Sequence, residues 1–200
     1  RELANPNGEA TSTSLETPQK NIDQSAIPPK DFSTAKQIQK QGVTHFQCTP
    51  SMARILASDP ETLASLSVLK KFLLGGEALP DDLAKTLSGN TQGELINVYG
   101  PTETTIWSTS AVVDTHKRQV SIGRPIANTQ VYILDRLLQP VAVGVPGELF
   151  IGGNGVVRGY LNREDLSSER FIENLFASQS GISDSAKKSK IYRTGDLVKY

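Results

Sequence analysis

Between Val43 and Gly100 the chain alternates short apolar runs with amphipathic stretches, and glycine or proline marks each change. "VTHFQC" reads as a strand, and "TPSMARILAS" as a helix opened by Pro50. "LKKFLL" is a second strand, ended by Gly75 and Gly76. "LPDDLAKTLSG" follows as a helix with Pro80 in its first turn, Asp81 and Asp82 where the helix dipole favours acids, and Gly89 as its stop. "GELINVYG" is another glycine-terminated strand. This alternation predicts an α/β layered fold with a mainly parallel sheet.

The flanks differ in character. Residues 1–30 are rich in Pro, Ser, Thr, Asn and charge, with almost no periodic apolar residues, and read as a polar linker. Organised structure is expected from Asp31, where "DFSTAKQIQKQG" offers a helix stopped by Gly42. Residues 31–113 thus form the α/β part. Beyond Thr105, "SAVV", "QVYIL" and "GELFIGG" are short runs separated by turn residues, with "SSERFIEN" as one brief helix. Residues 114–200 read as a smaller β-rich part of the same domain, with 177–190 a solvated loop.

With 37% hydrophobic and 21% charged residues the chain sits in the soluble globular range. It begins at Arg1 and its one methionine is Met52, which suits a piece of a longer polypeptide. The 21 basic and 21 acidic residues cancel, so no field draws nucleic acid or an anionic membrane. No run of 18 apolar residues is present. The lone Cys48 excludes an internal disulfide, suits a reducing cytosol, and reads as a buried small hydrophobe rather than a nucleophile. His45 and His116 lack a ligand-spaced cluster, so a histidine-metal site is not expected. Arg158 reads as part of a structural turn, and nothing supports Glu77 and Glu103 as a glycosidase pair.

Ligands of open α/β sheets bind beyond the carboxyl ends of the strands, where helix amino termini point their N–H groups. The loop "GGEALP", residues 75–80, brings backbone close to a planar ligand through Gly75 and Gly76. The loop "YGPTETT", residues 99–105, has a carboxylate suited to a hard cation such as Mg²⁺ and threonine hydroxyls suited to phosphate oxygens. Thr102 in a merely capped polar turn explains the same residues. In "YRTGDLVKY", Asp196 suits the paired hydroxyls of a ribose, and a Gly-Asp hairpin turn is the plain alternative.

Taken together, "LLGGEALP", "NVYGPTETTIW", "GELFIGGNGVVRGYLNREDLSSERF" and "YRTGDLV" resemble, in order and spacing from about Asp31 to Tyr200, the core motifs of a nonribosomal peptide synthetase adenylation domain. These domains belong to the adenylate-forming enzyme superfamily. The resemblance implies an ATP- and Mg²⁺-dependent ligase that makes an aminoacyl adenylate and passes the acyl group to the phosphopantetheine of a carrier domain. It also implies carrier and condensation domains as partners in the same cytoplasmic synthetase. By the same resemblance Gly76, Glu77 and Ala78 line the adenine side, Asn97 and Tyr99 lie near the base, and Gly100 and Thr102 near the phosphate. Glu103 is then the magnesium ligand and, with Thr102, catalytic, while Asp196 binds the ribose.

The amino-acid pocket maps by resemblance to Gln47, Leu73, Gly75, Val98, Ile106 and Trp107. The bulk of Ile106 and Trp107 favours a small side chain, and the string is similar to that of glycine-activating domains, with alanine next. Trp107 as a plain core aromatic is the alternative. The family's phosphate loop "SGTTGxPKG", the segment binding the substrate ammonium and the catalytic lysine of the small C-terminal domain are not among these residues, so the chain alone is expected to be inactive. The polar stretch before Asp31 departs from the family's ordered elements, and an inserted tailoring domain upstream of Arg1 is one expectation. An acyl- or aryl-CoA ligase and a noncatalytic adenylate-binding module are the rival readings.

Overall fold

The computed structural model describes residues 33–117, 119–176 and 189–200. The expected linker 1–30, the start at Asp31 and most of the loop 177–190 lie outside the described residues.

Helix α1 (Thr34–Gln41) starts at Ser33, whose hydroxyl accepts from the Lys36 amide. It stops at Gly42, where φ +60° turns the chain. Strand β1 (His45–Cys48) leads into α2 (Pro50–Ser58), capped by the Thr49 hydroxyl with Pro50 in the first turn. A shorter helix, α3 (Pro60–Ser65), is capped by Asp59 and precedes β2 (Lys71–Gly75). Helix α4 (Asp81–Asn90) and β3 (Glu94–Tyr99) complete the alternation. Gly89, read from sequence as the stop of α4, lies inside it; the helix runs on to Asn90, whose side-chain amide donates back to the Thr86 carbonyl.

Strands β1, β2 and β3 pair in parallel, with Phe46, Phe72 and Leu95 in one row and Cys48, Leu74 and Asn97 in another. Those rows face the helices, and all their residues but Asn97 join Ile38, Ala53, Leu83 and Leu87 in the main core. Burying each of the larger apolar side chains contributes roughly 1.5–3 kcal/mol. The sheet is parallel only in this half. Strand β4 (Thr109–Val112) returns antiparallel along β3, and β5 (Arg124–Pro125) pairs with β4, so the five-stranded sheet draws its last strand from beyond residue 113.

The second sheet, in the order β6 (Thr129–Leu134), β7 (Gly147–Gly153), β9 (Lys190–Val198), β8 (Phe171–Glu173), is wholly antiparallel. Leu134, Phe150 and Ile191 centre its core. The helix expected over "SSERFIEN" is displaced toward the amino terminus: α5 runs Glu164–Arg170 and ends where Phe171 enters β8. Phe171 is 3% exposed and pairs with Tyr192, so strand pairing overrides local helix preference there.

The Gly195-Asp196 pair is not a hairpin turn. It lies within β9, where pairing to β7 slips between Glu148 and Phe150. Gly195 takes φ +85° in this bulge, which redirects the residue after it.

Candidate functional site

The loops at the carboxyl ends of β2 and β3 meet the bulge of β9 around a cleft of about 500 Å³. Gly76, Glu77, Ala78, Asn97, Tyr99, Gly100 and Asp196 all line it, together with Leu79, Val98, Val120, Ile122, Leu197 and Val198. Residues far apart in the chain and assigned to one ligand by resemblance therefore share one cavity.

Each loop is shaped by close backbone approach. A Cβ on Gly75 would meet Val98 Cγ2 at 2.5 Å and the Val98 carbonyl oxygen at 2.6 Å, so only glycine lets β2 leave the sheet there. Gly76 follows at φ +87°. A Cβ on Gly100 would fall 2.5 Å from the Ile106 carbonyl oxygen and 2.7 Å from the Ser108 amide nitrogen. That opening lets the returning strand start against β3, where the Ser108 amide donates to the Tyr99 carbonyl at 2.8 Å.

Tyr99 donates its hydroxyl to Asp196 Oδ2 at 2.5 Å. Burial, then the neighbouring Asp196 carboxylate, pushes the Tyr99 hydroxyl well above the ordinary tyrosine value, so it stays a donor. Asp196 is also held from behind, its amide donating to the Thr194 hydroxyl. Asn97 is 5% exposed and spends its side-chain amide on the Ser121 carbonyl, fixing the 120–122 segment as one wall. Val120 and Ile122 on that wall were not singled out in the sequence, although their alternation with Gln119 and Ser121 was the available signal.

Glu77 lies on the cleft, but its carboxylate turns to the amino terminus of α2. It accepts from the Ser51 hydroxyl at 2.5 Å and the Ser51 amide at 3.0 Å, and these bonds hold it below the usual carboxylate range. Its side chain anchors the loop.

Thr102–Thr104 form one 3-10 turn, entered at Pro101. Thr102 makes no side-chain cap there and is exposed, so helix capping does not account for it. Thr102 and Glu103 do not line the cleft, and Tyr160 donates to Glu103 Oε1 at 2.5 Å. Burial pushes the Glu103 carboxyl up, but Tyr160, its own backbone amide, Tyr192 and the Arg170 charge outweigh that and bring it below the ordinary value. Tyr160 and Tyr192 are neighbours of the Glu103 carboxylate that sequence reasoning missed. Nothing local marks them as partners of an acid more than fifty residues away.

The donor set suits Mg²⁺, which takes one or two carboxylates and completes its shell with phosphate oxygens and water. Among the described residues no cluster of three or more His, Cys, Asp or Glu residues exists. His45 instead pairs its ring Nδ1 with the Thr44 hydroxyl, and Arg158 lies exposed in a bend.

Gln47 and Leu73 align in one row of the parallel sheet, and Gly75 and Val98 in the next, on the face opposite the main core. Val98 is 4% exposed because it fills the space above Gly75. Ile106 is 67% exposed and Trp107 half-buried, and both belong to the segment returning from the turn. Thr105 and Ile106 both take positive φ, a rare conformation for β-branched residues and one held by surrounding contacts. Cys48 packs against the main core, and burial raises its thiol to about 11, in line with a structural hydrophobe. Among the described residues no helix is long and apolar enough to cross a membrane.

Residues 23–161 match the model of the family described as AMP-binding enzyme. The chain is 47% identical over 163 residues to a linear gramicidin synthase of Brevibacillus parabrevis, covering 82% of this chain and 2% of that protein. It is 46% identical over 164 residues to indigoidine synthase of Dickeya dadantii, covering 79% and 11% respectively. Among solved structures, holo-AB3403, a four domain nonribosomal peptide synthetase bound to AMP and glycine, superimposes with a TM-score of 0.69 at 36% identity, over 82% of this chain and 12% of that one. The chain therefore spans only a small part of the length of these relatives. Membership rests on these matches: the chain belongs to the AMP-binding enzyme family and corresponds to part of an adenylation domain of the nonribosomal peptide synthetases.

Proposed function

We propose that this chain forms part of an ATP-dependent adenylation domain that activates glycine as glycyl-AMP and delivers it to the phosphopantetheine of a carrier domain. The observation that carries this reading is the cleft that Gly76, Tyr99 and Asp196 share. The bare backbone at Gly76 leaves room for a flat base. Asp196, oriented by Tyr99, accepts from ribose hydroxyls. Thr102 donates to phosphate, and Glu103 holds Mg²⁺. The ion supplies charge neutralisation as pyrophosphate leaves, the kind of electrostatic stabilisation that contributes most to such reactions.

What supports glycine is the string Gln47, Leu73, Gly75, Val98, Ile106 and Trp107, similar to that of glycine-activating domains. A larger substrate side chain placed against the buried Val98 and the half-buried Trp107 would meet packed atoms. Overpacking of that kind costs about 1–3 kcal/mol, or ten- to a hundredfold in selectivity. The solved synthetase that resembles this chain carries AMP and glycine, which supports the same choice. A cytoplasmic synthetase with carrier and condensation domains is the setting this activity needs.

The test is amino-acid-dependent pyrophosphate exchange by the full-length polypeptide. Exchange is expected to be strongest with glycine and weaker with alanine. Stronger exchange with leucine or phenylalanine would overturn the glycine assignment, and exchange driven by a fatty or aryl acid with free coenzyme A would favour a CoA ligase.

A further inference from the structure

Glu103 is gripped by a segment to which neither its local sequence nor the proposed reaction assigns a part. The turn Thr102–Thr105 packs against residues 155–160, which follow β7. The Val157 amide donates to the Glu103 carbonyl at 2.9 Å, and the Tyr160 hydroxyl donates to Glu103 Oε1 at 2.5 Å. Acid and backbone of one residue are thus held by the same segment. Beside them the Thr105 hydroxyl donates to the Gly155 carbonyl at 2.6 Å. A Cβ on Gly155 would fall 2.7 Å from the Thr104 carbonyl oxygen, so the approach requires glycine.

Tyr160 is itself held on several sides. Its amide donates to the Ser167 hydroxyl at 2.8 Å, tying it to α5. Its ring stands edge-on to Phe171 with centroids 5.4 Å apart, and Phe171 in turn packs on Tyr192 at 5.1 Å. The Tyr192 hydroxyl lies 3.5 Å from that of Tyr160. Glu103 sits on a turn that runs into two β-branched residues at positive φ, so an external anchor is what keeps its carboxylate in one place.

We infer that Tyr160 is a positioning residue for Glu103, and that its hydroxyl, anchored through Ser167 and Phe171, sets the affinity of this site for a divalent cation. The inference rests on the metal role given to Glu103 above. A carboxylate with one oxygen fixed by a rigid donor presents itself to an incoming ion without having to be ordered first. Groups that hydrogen-bond a metal's ligands typically account for 10–100-fold in metal affinity.

The experiment uses the full-length polypeptide saturated with a non-hydrolysable ATP analogue, and follows Mn²⁺ binding by electron paramagnetic resonance. Tyr160→Phe keeps the ring against Phe171 and removes only the hydroxyl. It is expected to weaken Mn²⁺ about tenfold while leaving metal-free analogue binding and the KM for the amino acid unchanged. Raising Mg²⁺ should then restore pyrophosphate exchange in Tyr160→Phe but not in Glu103→Gln. If Glu103→Gln binds Mn²⁺ as tightly as the parent, the metal role of Glu103 fails and this inference falls with it. If Glu103→Gln weakens Mn²⁺ and Tyr160→Phe does not, only the inference is overturned. A Tyr160→Phe variant that loses metal-free analogue binding by the same factor would also overturn it, by showing a general structural role.

Discussion

Tyr99 at the end of β3 donates its hydroxyl to Asp196 in the bulge of β9, joining two residues 97 positions apart across the mouth of the cleft. The bond orients the carboxylate proposed to receive the ribose. Asp196→Ala should raise the KM for ATP about 10–100-fold, the range for a lost hydrogen bond to a charged group, with the amino-acid KM little changed. Tyr99→Phe should raise it less, by several-fold. Pyrophosphate exchange at varied ATP measures both, and an unaltered KM for Asp196→Ala would remove the ribose role.

Two glycines should respond in opposite directions to the same substitution. Gly100→Ala drives a Cβ into the backbone of Ile106, Trp107 and Ser108, atoms that cannot swing aside. It should cost roughly 1–3 kcal/mol or more. Gly89 lies in helix α4 with nothing within 4 Å of an added Cβ, so Gly89→Ala should stabilise by about 0.5–1 kcal/mol. Urea denaturation of each variant checks the signs.

The Glu77 anchor should be visible in the pH dependence of stability. The Ser51 hydroxyl, and after it the Ser51 amide, lower the Glu77 carboxyl from its usual 4.5. A depressed folded value means the contribution is complete above 4.5 and disappears as pH falls through the lower, folded value. Ser51→Ala should therefore be less stable than the parent at neutral pH, with the gap narrowing in acid. Urea titrations at about pH 7 and pH 3 compare the two, and a gap independent of pH would contradict the anchor.

Cys48 should behave as core rather than as a reactive thiol. Burial raises it from 9.0 to about 11, so its thiolate fraction near neutral pH is roughly a hundredfold below that of an unfolded chain. Iodoacetamide should alkylate it slowly in buffer and rapidly in urea. Equal rates would show that the packing around β1 is open.

The sequence by itself determined the alternation of strands and helices from Val43 to Gly100, because glycine, proline and apolar period act on neighbours only a few residues away. It also marked the loops after β2 and β3 that line the cleft, since Gly75, Gly76 and Gly100 stand where those strands end. Local signals misled where pairing overrode them: Phe171 reads as helical beside "SSER" yet is pulled into β8 by Tyr192; at Gly195-Asp196 pairing excluded the hairpin alternative and kept the pair within the strand-like run, β9. Only the tertiary structure decided that Asp196 meets Tyr99, that Glu77 turns to Ser51, and that Tyr160 holds Glu103. Those bonds depend on a strand register and on packing between segments distant in the chain. No pattern of adjacent residues encodes where a bulge will aim its next side chain.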